Sequence, residues 1–146
     1  MKLEFTCPYC IETEVTLIDQ DKSKVCTSCK TYFSVKNNIP RLTQVDNYAD
    51  SFGFQWNIFR KTQLDSNVSK PISKDRLLEV TKWEGNLEGQ NILEAGSGAG
   101  RFTEVLVKTN ANIYSFDYSN AVEANYLNNG QNSNLVIFQG DIYKIP

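Results

Sequence analysis

The chain has 146 residues, 40% of them hydrophobic, with 15 Lys and Arg against 17 Asp and Glu, four cysteines and no histidine. That size and apolar content give one domain, or a small unit beside a medium one, with a real core. Lacking histidine, the chain excludes His-dependent catalysis, and no apolar run approaches the roughly 18 residues of a membrane span. The start MKLEFTCPYC has no signal-peptide stretch, so a cytoplasmic location without a membrane partner is expected.

Residues 1–43 read as a small β unit, with strands at LEFT, EVTLID, KVC and YFSV and a close at KNNIPRLT. After CPYC, Thr13, Val15 and Leu17 alternate with Glu14, Thr16 and Ile18 at a period of two, which is a strand pattern and not the helix that follows a thioredoxin-like dithiol. Cys7 and Cys10 are followed, fifteen residues later, by Cys26 and Cys29. Two such knuckles bring four thiolates to one tetrahedral ion, as in a zinc ribbon, and a unit this short needs that ion to fold. Iron suits the same geometry. Two disulfides or a redox dithiol are the competing uses of the four thiols, and a reducing compartment disfavours the disulfides.

Residues 44–88 read as a helical connector. Val45, Tyr48, Ala49, Phe52, Trp56 and Phe59 fall at helical spacing, and Phe54 and Ile58 off that stripe imply cover on more than one side, with the aromatics taken as core. The stretch QLDSNVSKPISK is a polar connector, and Ser73 is the expected N-cap of a helix through DRLLEVTKW.

Residues 89–146 alternate strand and helix: NILEA, a helix through GRFTEVLVKTN, NIYSFD, a helix through SNAVEANYLNN, and LVIFQG. This predicts an α/β fold with a parallel sheet. At the first strand end lies EAGSGAGR, whose Gly96, Gly98 and Gly100 permit a sharp turn and close ligand approach. A dinucleotide fingerprint starting at Gly96 needs glycine at 101, where the chain has Arg101, and Glu94 would face the pyrophosphate. The phosphate-cradling pattern G-x-x-x-x-G-K-(S/T) is absent.

The segment ILEAGSGAGRFT resembles motif I of class I S-adenosylmethionine-dependent methyltransferases, (D/E)-x-G-x-G-x-G. YSFDYS resembles the second motif, with Asp117 lying 21 residues after Gly96, and FQGDIYKIP the third, with Asp141. The resemblance implies S-adenosylmethionine as cofactor and a Rossmann-like sheet of which this sequence supplies the first half, strands one to three of seven. Glu94, Ala95, Gly96, Ser97, Gly98 and Gly100 would hold the methionine moiety, its amino group near Glu94 and its carboxylate near the following helix N-terminus. Asp117, beside Tyr118, would accept from the ribose hydroxyls. Asp141 would reach the adenine amino group, with Ile142 stacking or lending its N–H. For Asp117 and Asp141 the competing role is turn formation and helix capping. The four-cysteine leader and YADSFGFQWNIFRKTQLDS are similar to N-terminal parts of bacterial methyltransferases of the type 11 group, which often act on small molecules or in saccharide pathways.

On this reading the chain is a fragment of a longer methyltransferase, inactive by itself, its first α/β strand an open edge prone to self-association. The catalytic base and the acceptor lie outside what the residues identify, with a small-molecule acceptor expected. Residues 1–41 carry six Lys and Arg against five acids, and four thiolates on a divalent ion subtract about two charges, so nucleic-acid binding is disfavoured. The alternatives are a non-catalytic zinc-containing binding module or an RNA methyltransferase fragment. A face of Tyr9, Lys30, Tyr32 and Lys36 would serve the RNA reading.

Overall fold

The computed structural model describes residues 4–10, 16–20, 22–43, 50–83 and 85–146. The leader forms an antiparallel meander of β1 (Leu17–Gln20), β2 (Ser23–Cys26), β3 (Tyr32–Lys36) and β4 (Ile39–Pro40) in chain order. The period-two pattern holds where it is described, with Leu17 buried and Ile18 exposed. The expected strand at LEFT reduces to one bridge between Thr6 and Thr16, and Leu3, Glu14 and Val15 lie outside the described residues. Asn37 and Asn38, with φ of 53° and 63°, make the two-residue turn between β3 and β4, since asparagine tolerates the left-handed backbone that tight hairpins require.

The α/β part is a parallel sheet of β5 (Asn91–Ala95), β6 (Asn112–Asp117) and β7 (Leu135–Gln139) in the order β5-β6-β7. The expected helix after β5 is short: α3 (Thr103–Leu106) gives way to a 3-10 turn at Val107–Thr109. Alternating β-branched Thr103, Val105, Val107 and Thr109 weaken the helix, and Asn110 at φ 63° ends it. Between β6 and β7 runs α4 (Ala121–Asn129).

In the connector, α1 (Asp50–Ile58) and α2 (Ile72–Thr81) form. Val45, Tyr48 and Ala49 lie outside the described residues, as does the side chain of Phe52. The reading of these aromatics as core is corrected for Phe54 and Phe59, which are exposed as is Ile58, whereas Trp56 is half-buried. The cause is close backbone approach at Gly53, where a Cβ would lie 2.9 Å from Asn120 N, together with Asn57, whose amide donates to Asn120 O at 3.1 Å. That face meets the start of α4 and leaves the large side chains outside.

Ser73 is likewise not the cap of α2, which starts after Pro71. Asp65 accepts instead from the backbone N–H groups of Ser73 and Lys74, each at 2.8 Å. Burial works to raise the Asp65 carboxyl, but these donors hold it below its ordinary value.

The leader is fused to the sheet rather than tethered to it. Leaving β4, Arg41 forms a parallel bridge with Gln139 of β7, and Leu42 N donates to Gln139 O at 2.8 Å. Phe5, Cys7, Leu17, Cys26, Phe33 and Leu42 share one buried cluster with Phe116 and Phe138. A second contact buries Ile39 against Val122 and Ile137, and full burial of such a side chain contributes about 1.5–3 kcal/mol. Arg41 Nη2 donates to Glu123 Oε1 on α4, with both side chains largely enclosed. The β7 edge is thereby covered, which removes an aggregation-prone strand edge. Among the described residues no helix is long and apolar enough to cross a membrane.

Candidate functional site

The sulfur atoms of Cys7, Cys10, Cys26 and Cys29 lie within 4.8 Å of one another, with Cys7 Sγ 3.7 Å from Cys29 Sγ and Cys10 Sγ 3.8 Å from Cys26 Sγ. A tetrahedral ion with Zn–S bonds of about 2.3 Å needs S···S edges of about 3.8 Å. The four thiols fit that requirement, and all four cysteines are free. Each knuckle is a tight turn, closed by Cys10 N to Cys7 O at 3.1 Å and by Lys30 N to Cys26 O at 3.0 Å. Burial pushes the Cys7 thiol up to about 12, whereas hydrogen bonds from Thr31 bring the more open Cys29 down to about 6.

The tip of the first knuckle reaches the C-terminal ends of the α/β strands. Tyr9 stacks on Phe33 with ring centroids 5.8 Å apart, and Lys144 Nζ lies 5.1 Å from the Tyr9 ring centroid. Pro8, Tyr9, Leu42 and Thr43 enclose a cavity of about 120 Å³ with Tyr118, Asp141 and Lys144. Burial, and the nearby Cys7, Tyr118 and Asp141, push the Tyr9 phenol up. Tyr9 thus packs against its own protein on one face while remaining exposed on the other, and Tyr32 on β3 is exposed as well.

Two cavities flank the glycine loop. One, of about 310 Å³, is lined by Ala95, Gly96, Asp117, Tyr118, Asp141 and Ile142, together with Phe116, Gly140 and Tyr143. Its residues come from the ends of β5, β6 and β7, where open parallel sheets bind their ligands. A second, of about 170 Å³, is lined by Gly96, Ser97, Gly98 and Asp117, facing Trp56, Arg60 and Arg101 among others. Asp117 stands between the two.

Four of the loop's backbone donors are engaged within the chain. Gly96 N and Ser97 N donate to Phe116 O at 2.9 and 3.0 Å, Gly98 N to Asp117 Oδ2 at 2.9 Å, and Gly100 N to Ser97 O at 2.9 Å. Asp117 Oδ1 also accepts from Ser119 N at 2.8 Å and Ser119 Oγ at 2.7 Å, so Asp117 does form the turn entering α4 while lining both cavities. Asp141 accepts from Tyr143 N at 2.9 Å in a similar local turn.

Glu94 and Gly100 sit differently from the other glycine-loop residues, since neither lines the two cavities. The Glu94 carboxylate turns inward, where Oε2 accepts from Thr103 Oγ1 at 2.5 Å and from Ser115 Oγ at 2.8 Å. Burial pushes its carboxyl up, opposed by those two hydroxyls. Asn125 Nδ2 donates to both hydroxyls at 3.0 Å, and its Oδ1 accepts from Asn129 at 2.9 Å. Gly100 serves this same network: at φ 84°, a Cβ there would meet Asn125 Oδ1 at 2.1 Å.

The sequence reading missed Tyr143 and Gly140 in the larger cavity and Trp56, Arg60 and Arg101 around the smaller one. The signal for Trp56 and Arg60 was their spacing of four residues, which shares one helix face, but an aromatic stripe reads as core by default.

No protein-family profile matches the chain. It is 37% identical over 59 residues to phosphoethanolamine N-methyltransferase 1 of Zea mays, covering 40% of this chain and 12% of that protein. The match thus spans about an eighth of the relative's length. Among solved structures, a candidate S-adenosyl-L-methionine-dependent methyltransferase of Methanococcus maripaludis overlaps with a TM-score of 0.49 at 20% identity, covering 71% of this chain and 47% of that one. Haemonchus contortus phosphoethanolamine N-methyltransferase 1, in complex with phosphoethanolamine and S-adenosylhomocysteine, overlaps with a TM-score of 0.44 at 24% identity, covering 63% of this chain and 21% of that one. The strands β5, β6 and β7 form a parallel sheet in that order, with the glycine loop at the end of β5, in a mixed α/β fold.

Proposed function

We propose that this chain binds S-adenosylmethionine and carries the cofactor-binding part of a methyltransferase acting on a small molecule. The observation that carries the reading is the convergence of Gly96, Asp117 and Asp141, from three successive strand ends, on one cavity of about 310 Å³. Asp117, with acceptor oxygens at the rim of both cavities, suits the ribose hydroxyls, and Tyr118, Asp141 and Ile142 suit the adenine. Phe116 and Gly140 floor the cavity and exclude water from an aromatic base. Glu94 acts at one remove, fixing the end of β5 through Thr103 and Ser115. The cofactor, when bound, supplies an electrophilic sulfonium methyl group. The contribution of the chain is to hold it in one orientation, which is the main lever available in such a transfer.

The four thiols are assigned to structural zinc, held by Cys7, Cys10, Cys26 and Cys29 with no open coordination position. Its role is to order the leader and the Pro8–Tyr9 tip beside Tyr118 and Asp141.

Titration with S-adenosylhomocysteine, with NAD as control, tests the cofactor. Amide shifts at Ala95–Gly98, Asp117 and Asp141 with the first ligand alone are expected. Equal response to NAD, or none in a folded chain, defeats the reading.

A further inference from the structure

We infer that the leader is part of the cofactor site: Tyr9 is a positioning residue, and through Lys144 it holds the turn whose side chains wall the larger cavity. This rests on the cofactor reading above. The turn follows β7, and Asp141, Ile142 and Tyr143 line the cavity of about 310 Å³ in succession. Lys144, the next residue, does not. It reaches back to the leader and faces the cavity of about 120 Å³ with Pro8, Tyr9, Leu42 and Thr43. Tyr118 and Asp141 border both cavities, so they form a partition with the proposed cofactor space before it and a void behind it.

A partition backed by a void lacks packed atoms on that side, and with them the contacts that fix a wall in place. The turn's own hydrogen bonds are local, Tyr143 N to Asp141 Oδ1 and Lys144 N to Asp141 O, each at 2.9 Å. Ile142, Tyr143 and Ile145 are exposed rather than packed, and segments with few buried apolar contacts open at low free energy. One contact spans the void. Lys144 Nζ lies 5.1 Å from the Tyr9 ring centroid, inside the roughly 6 Å at which a cation and an aromatic face attract. Tyr9 is itself fixed from the leader side. Its ring stacks at 5.8 Å on Phe33, a member of the buried cluster shared with Phe116 and Phe138, and its knuckle is closed by Cys10 N to Cys7 O at 3.1 Å. Order in the leader therefore passes along Phe33, Tyr9 and Lys144 to the wall that meets the nucleoside end of the ligand.

The test combines amide hydrogen exchange of the free 146-residue chain with calorimetric titration by S-adenosylhomocysteine and by 5′-methylthioadenosine, which keeps the nucleoside but lacks the amino-acid end. Tyr9→Leu is expected to speed exchange at Tyr143 and Lys144 and to weaken both ligands alike, each by about two- to fivefold, the scale of an exposed cation–π pair. Tyr9→Phe keeps the ring and is expected to match the parent in both measurements. Because Tyr9→Leu also removes the stack on Phe33, a second variant is needed. Lys144→Met leaves the leader untouched and lies outside the cofactor cavity, and it carries the same expectation for the ligands. The double change is expected to lose no more than either alone. Exchange and affinities unchanged in Tyr9→Leu, an equal loss in Tyr9→Phe, or losses that add in the double variant overturn the positioning role while the cofactor reading stands. If the unaltered chain binds neither ligand, the cofactor reading fails and the positioning role falls with it.

Discussion

Glu94 and Asn125 do not bond to each other, yet each bonds to the same two buried hydroxyls, those of Thr103 and Ser115. Asn125 donates to both and Glu94 accepts from both, so the chain of donors runs one way, from α4 to the end of β5, and terminates on a carboxylate. A one-way chain of this kind fixes β5, α3 and α4 against each other at the depth where the glycine loop begins.

Replacing Glu94 by Gln tests the charge at that terminus. Gln retains an acceptor oxygen for the two hydroxyls. Because the folded-state pKa of Glu94 is raised, the folded chain keeps this proton to higher pH than the unfolded one. Stability is therefore lost as pH rises from the ordinary carboxyl range through the folded value. The E94Q variant is expected to lack that decline and to exceed the parent at neutral pH by about 1–3 kcal/mol, the scale of a buried polar group's desolvation. Urea titrations at pH 5 and pH 8 give the answer; parallel pH profiles for the two proteins count against it.

Gly100→Ala is expected to be far more damaging than Gly96→Ala. Both glycines have positive φ, 84° and 75°, which by itself costs an alanine roughly 1–2 kcal/mol. Only at Gly100 does the added carbon also collide with Asn125 and Asn129, so a total loss above about 3 kcal/mol is expected there. Similar unfolding midpoints for the two variants would refute the assignment of Gly100 to packing.

Arg41→Ala is expected to cost about 3 kcal/mol, since it strands a largely enclosed Glu123. The double change to Arg41→Met and Glu123→Leu should recover most of that loss. In the parent, cobalt–thiolate absorption at the four cysteines and tryptophan fluorescence from Trp56 and Trp83 should melt together, because leader and sheet share one core. Two separate transitions would show the leader to be an independent unit.

Removing the metal is expected to reach the cofactor cavity. Native mass spectrometry should show one ion lost on chelation, and S-adenosylhomocysteine affinity should fall by about tenfold, ~1.4 kcal/mol, as the Pro8–Tyr9 wall beside Tyr118 and Asp141 loosens. Unchanged affinity in a metal-free chain would confine the metal's role to the leader.

The parallel sheet was legible because LVIFQ is a short apolar run and NIYSFD a short segment rich in aromatics, each set apart by a helical stretch, and because strand ends are where topology puts sites. That the four cysteines come together was legible from their spacing. Two features were not. Asn125 and Asn129, four residues apart on α4, look like polar surface, and nothing local discloses that they sit against Gly100. The face of α1 was misread because Gly53, not the aromatic stripe, decides which side meets α4. Both errors come from contacts between residues distant in the chain, which periodicity does not encode.

The bridge from Arg41 to Gln139 spans 98 positions, whereas Cys7 and Cys29 are 22 apart. During synthesis the four thiols leave the ribosome long before β7 exists, and closing the shorter loop carries the smaller entropic penalty. On the zinc assignment proposed above, ion capture is then the first long-range event available to the nascent chain. Phe5 and Leu42 wait, half of their core still unmade, until Phe116 and Phe138 arrive. With that ion bound, the leader is a prefabricated edge onto which β7 docks, turning a slow non-local pairing into a capture by something already in place.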